Sequence, residues 1–170
     1  MVGNSMKLDR RKEFVLMVGL PRSGKSTYVN QYLPSHQLVC PDDIRKGLGV
    51  RHDRRLEPFV WAVVEAQIRA LMERERPVVL DATNTIEQVR TKWIEIAKSY
   101  GYSIKIVWID TPLSVCMERA KLDNFPESVM IRMYRQLKRD PPVPKPEVYE
   151  LVHIKFDEEE PERPCTTGWK

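Results

Sequence analysis

The sequence predicts an α/β protein, a parallel sheet of about five strands with helices packed on both of its faces. Three observations carry that reading. An apolar run at residues 14–18 leads through a glycine-rich turn into a helix. Short apolar runs then alternate with longer segments of helical period, the pattern of right-handed β-α-β crossovers. Several of the short runs end in acids, at Asp42 and Asp43, Asp81 and Asp110, and in such sheets the ligand site lies at the strands' carboxyl ends.

Residues 13–18 form the first strand, and residues 24–33 a helix that stops before Pro34, because the residue before proline avoids the helical region. Residues 37–40 are a short strand closed by Pro41-Asp42-Asp43, with a short helix expected at 44–48. Val60, Val63, Val64, Ile68 and Leu71 recur at helical spacing within 57–74, and Pro77 separates that helix from a strand at 78–81. Residues 85–100 place Ile86, Val89, Trp93, Ile94 and Ala97 on one side of a helix that Gly101 stops. A strand at 103–110, a helix from 113 to about 121, a break at 123–126, a helix at 127–138 and a last strand at 149–156 complete the order. The proline-rich stretch 140–146 reads as a stiff connector.

One domain suits 170 residues, and no internal repeat suggests a second. Residues 1–12 read as a flexible leader, 13–156 as the domain with a lid around 119–127, and 157–170, acidic and proline-containing, as a mobile tail. A hydrophobic share of 42% and a charged share of 31% are ordinary for a globular protein, and no apolar run suits a membrane span. The expected setting is cytoplasmic, with no membrane partner. Cys40, Cys116 and Cys165 contain no Cys-x-x-Cys pair, and His36, His52 and His153 have no ligand-like spacing. A net charge of +4 is compatible with an anionic partner and equally with a solubilising surface.

The chemistry concentrates in Gly19-Leu20-Pro21-Arg22-Ser23-Gly24-Lys25-Ser26-Thr27. A Gly-x-x-x-x-Gly-Lys-Ser turn between strand and helix turns its backbone N–H groups on phosphate oxygens. Lys25 reaches the β- and γ-phosphates, Ser26 ligates Mg²⁺, and the helix that follows adds its N-terminal dipole. ATP is the expected donor and Mg²⁺ the expected cofactor. Asp42 and Asp43, on the same sheet edge, suit one general base for an acceptor hydroxyl and one helix cap. Asp81 ends an apolar strand and suits Mg²⁺, directly or through water, or the acceptor hydroxyl; its alternative is a turn residue. Arg51, His52, Arg54 and Arg55 read first as a solvated loop, and Trp61, Trp93 and Trp108 as core.

The combination of GLPRSGKST, PDDIR at 41–45, DATN at 81–84 followed by Arg90 and Trp93, and the segment 107–135 resembles the 5′-hydroxyl polynucleotide kinases, a branch of the P-loop kinases. The resemblance implies a P-loop kinase fold with a helical lid, and a reaction in which the ATP γ-phosphoryl moves in line to the 5′-hydroxyl end of DNA or RNA, as in nucleic-acid repair. It makes Asp42 the general base and Arg45 a contact to an acceptor phosphate. Asp81, Asn84 and Arg90 join the acceptor side, and Arg119 becomes the lid arginine that stabilises the transferring phosphoryl. Family lids carry a second arginine four residues on, where this chain has Asp123, with Lys121 the nearest other cation. An acid there repels ATP phosphates, so the expectation is Asp123 turned outward and Arg119 or Lys121 inward. Two other functions fit the phosphate loop: a kinase for a small hydroxylated metabolite, and a nucleotide-binding ATPase module without an acceptor.

Overall fold

A computed structural model describes residues 12–49 and 53–156; residues 1–11, with most of the expected leader, Arg51, His52 and the expected tail from 157 lie outside the described residues. Five parallel strands form one sheet in the order β2-β3-β1-β4-β5, with β1 at Glu13–Val18, β2 at Gln37–Val39, β3 at Val78–Leu80, β4 at Ser103–Asp110 and β5 at Glu150–Lys155. The central strand reads EFVLMV, and every residue of it from Phe14 to Val18 is fully buried, as a strand covered on both faces must be. From β1 the chain crosses to the β2 side, and from β3 it crosses back over β1 to β4. The carboxyl end of β1 is therefore the switch point where a crevice opens.

The helices are α1 (Lys25–Tyr32), α2 (Pro41–Gly47), α3 (Glu57–Glu73), α4 (Glu87–Ser99), α5 (Leu113–Ala120) and α6 (Glu127–Arg139). They cover the sheet unevenly. Phe14, Leu16, Leu80 and Ile106 pack against Val64 and Ile68 of α3, Trp93 and Ala97 of α4, Cys116 of α5 and Met130 of α6. The opposite face, with Val15, Met17, Val79 and Val107, meets Val29 of α1 and Leu33, which caps that helix. Trp93 is core as expected, while Trp61 and Trp108 are only half-buried against it.

Two local expectations need correction. The short helix begins at Pro41, three residues before the expected start, because proline at the first helical position fixes a helical φ and loses no needed N–H. Cys40 is the cap residue, so neither Asp42 nor Asp43 caps the helix; both lie in its first turn, where the helix dipole favours acids. The break after α5 is also shorter than expected, since Lys121–Asp123 continue as a single 3₁₀ turn that ends on Asn124 at φ 55°.

Candidate active site

The loop between β1 and α1 has the backbone its sequence requires. Gly19 adopts φ 153° and Gly24 φ 104°, both in the region that favours glycine. A Cβ on Gly19 would stand 2.7 Å from the carbonyl oxygen of Ile109 and 2.8 Å from Ser23 Oγ, so the loop presses against the end of β4. Thr111, just past β4, donates its hydroxyl to the Ser23 carbonyl at 2.8 Å, and Gly19 N–H donates to Thr83 at 3.1 Å. Strand ends on both sides of β1 thus hold the loop. Leu20 and Ser23 are buried, Pro21 is half-buried, and Arg22, Ser26 and Thr27 are exposed.

Lys25 is buried, and its Nζ donates to the carbonyls of Leu20 at 2.7 Å and Gly19 at 3.2 Å. Burial pushes its pKa below the usual lysine range, while the charges of Asp81 and Asp42 act the other way. Ser26 Oγ donates to Asp81 Oδ2 at 2.6 Å, which brings a hydroxyl and a carboxylate together at the loop's mouth. That donor set fits Mg²⁺, a hard cation bound through one or two carboxylates and completed by phosphate oxygens and water. Among the described residues no cluster of three or more His, Cys, Asp or Glu side chains offers a different metal centre.

The acceptor-side residues divide. Asp42 is exposed and accepts from Arg45 at 2.6 Å. The Arg45 guanidinium also donates twice to Glu57, at 2.8 and 2.7 Å, and this pairing raises its pKa further. Asn84 is buried at φ 45°, donates to the Met17 carbonyl at 2.8 Å, and leaves its Oδ1 buried without a partner. Arg90, expected on the acceptor side, is 3% exposed and donates to the carbonyls of Asn84 at 3.0 Å and Asp140 at 2.6 Å. It clamps the loop after β3 to the end of α6. Burial lowers its pKa.

On the lid side, Arg119 donates to the Arg22 carbonyl at 3.2 Å and lies 5.7 Å from the centre of the Phe156 ring. Asp123 turns inward rather than outward, its carboxylate paired with the Arg22 guanidinium of the phosphate loop. The repulsion expected of an acid near phosphate is offset by that neighbouring cation. Lys121 points away and pairs with Glu118 at 3.4 Å. Beside the loop opens a cavity of ≈ 600 Å³, bounded by Lys25, Tyr28, Tyr32, Arg119 and Phe156, a size suited to a nucleotide.

Sequence reasoning missed Thr111 and the Arg22–Asp123 pair. Thr111 carried a signal, since it directly follows a strand on the ligand edge. His36 and His153 instead serve Glu13 and Asp110, at 2.8 and 2.9 Å. Arg55 pairs with Asp53 on the exposed loop.

Residues 14–128 match the AAA domain family. The bifunctional polynucleotide phosphatase/kinase of Schizosaccharomyces pombe is 30% identical over 105 residues, which are 62% of this chain and 23% of that protein. The chain thus spans about a quarter of that relative's length. Among solved structures, a chain of the Pnkp1/Rnl/Hen1 RNA repair complex superposes with a TM-score of 0.66 at 24% identity, over 75% of this chain and 44% of the other. A gluconokinase from Sinorhizobium meliloti 1021 superposes with a TM-score of 0.56 at 21% identity, over 86% of this chain and 83% of the other. With its phosphate loop, five-stranded parallel sheet and helical lid, the chain belongs to the AAA domain family and has the fold of a P-loop kinase.

Proposed function

We propose that the protein transfers the γ-phosphoryl of ATP to the 5′-hydroxyl end of a nucleic acid. The observation that carries this reading is Asp42, a carboxylate in the first turn of α2, next to Arg45 and on the same edge of the parallel sheet as the phosphate loop. An acid there accepts the hydroxyl proton, and a neighbouring arginine suits the phosphate that follows a 5′-terminal nucleoside. Similarity to a polynucleotide phosphatase/kinase supports the same acceptor. When bound, Mg²⁺ would neutralise charge on the β- and γ-phosphates, with Ser26 and Asp81 to hold it. Lys25 exchanges its two carbonyl partners for phosphate oxygens, and Arg119 places its guanidinium where charge develops in the transition state.

One observation favours a second reading, a small hydroxylated acceptor. The Arg45 fork is already taken by Glu57 and Asp42, so its charge is largely neutralised. A small acceptor without a phosphate leaves that arginine with its two carboxylates, and a gluconokinase shares the fold over most of its own length. Competition decides between them: γ-labelled ATP, Mg²⁺ and equal concentrations of a 5′-hydroxyl oligonucleotide and gluconate. Label in the oligonucleotide, and none when its end carries a 5′-phosphate, is the expected result. Label in gluconate overturns the polynucleotide reading in favour of the small acceptor, and label only in inorganic phosphate overturns both.

A further inference from the structure

We propose that the outer face of α6 is the track on which the sugar-phosphate backbone of a single-stranded nucleic acid lies as it leads away from the reacting end. This inference rests on the polynucleotide reading and names a surface beyond it. Arg132, Arg135 and Arg139 project from the side of α6 opposite its buried Met130 and Leu137, spaced three and four residues apart, so the stripe runs about 10 Å along the helix. Lys138 flanks it, stacked over Tyr134. The single acid of the helix is Glu127, in its first turn.

That composition differs from an ordinary charged helix surface. On α3, Glu65 pairs with Arg69 and also with Lys92 of α4, so cations there are neutralised by acids. On α6, among the described residues, Arg132 and Arg135 have no carboxylate within ion-pair distance, and Arg139 shares only Asp140. Position adds the second argument. Thr85 Oγ1 donates to Gln136 Oε1 at 2.8 Å, and Arg90 donates to the Asp140 carbonyl, so the C-terminal end of α6, where Arg139 stands, is fixed to the loop that carries Asp81 and Asn84. The stripe therefore begins beside the acceptor side of the site.

An acidic protein segment is the competing occupant. Peptides of that kind anchor through apolar side chains as well as charge, and none of the large apolar side chains exposed among the described residues lies on α6. Arginine forks without an apolar anchor suit phosphodiesters.

The test is direct binding, measured by fluorescence anisotropy of a 3′-labelled 12-nucleotide single strand with a 5′-hydroxyl, across a range of salt. Arg132→Ala/Arg135→Ala should weaken binding about tenfold and lower the salt slope by about 1.4, the share of two single-strand phosphate contacts. Arg132→Lys/Arg135→Lys, which keeps the charge, should restore most of the slope. Turnover of a nucleoside 3′-monophosphate, too short to reach the stripe, should be the same in all three proteins. Wild-type affinity and slope in the alanine variant, no binding of the strand by wild type, or equal displacement of the strand by a glutamate-rich peptide would each overturn the track. Failure of the polynucleotide reading looks different: the strand binds through the stripe and gains no phosphate.

Discussion

At the scale of single residues, the pair most particular to this chain is Arg22 with Asp123. Arg22 sits at φ 65° in the middle of the phosphate loop and is gripped twice by the lid, its carbonyl by Arg119 and its guanidinium by Asp123. A nucleotide that draws Arg22 toward its phosphates competes with Asp123 for the same cation. Asp123→Asn should release that competition and lower the Kd for ATP by about two- to fivefold, the range of an exposed ion pair. Isothermal titration calorimetry checks it; an unchanged or higher Kd would show that Asp123 does not hold Arg22 back from nucleotide. The phosphate-loop residues and Asp81 were visible in the sequence because the backbone conformation and ligand chemistry of such a loop allow few residue types. Arg22 with Asp123, like Arg45 with Glu57, could not be read there. Each joins residues distant in the chain, and only the packing of α2 on α3, or of the lid on the loop, decides which partner a long arginine finds.

At the scale of elements, Glu13 shows how the sheet edge away from the site is tied together. It stands at the start of β1, accepts from His36 just before β2 at 2.8 Å and from Lys105 of β4 at 3.0 Å, and so links three segments. The bond from His36, with the Lys105 ammonium beside it, holds the Glu13 carboxyl at about 2, below its ordinary 4.5. Its folded pKa lies below its unfolded value, so the stabilisation is complete above about pH 4.5 and is lost as pH falls toward 2. Urea unfolding midpoints should drop more steeply between pH 5 and pH 3 in wild type than in Glu13→Gln; parallel curves would mean that other carboxylates carry the acid sensitivity. Element order and most boundaries were legible, because apolar periodicity in a buried parallel sheet leaves little choice. The boundaries that moved did so for local reasons: Pro41 nucleates α2 early, and the turn after α5 tightens into a 3₁₀ step that aims Asp123 at the loop.

At the scale of the molecule, the switch point at the end of β1 gathers phosphate loop, base candidate and lid from segments spread over residues 19–123. The sheet is unevenly clad, with α1 packed on one face and α3, α4, α5 and α6 on the other. That asymmetry leaves the cavity beside α1 open, with a size suited to a nucleotide. Fold class followed from the alternation of strands and helices; the acceptor did not, since a chain of an RNA repair complex and a gluconokinase both superpose on this same fold. The claim common to both kinase readings is that Asp42 takes the proton from the attacking hydroxyl. Single-turnover transfer from ATP, with nucleotide and acceptor both saturating, tests it most directly. Asp42→Asn should bind ATP as wild type does and transfer roughly 10²- to 10⁴-fold more slowly, the usual loss for a general base. Transfer at the wild-type rate in Asp42→Asn would contradict it.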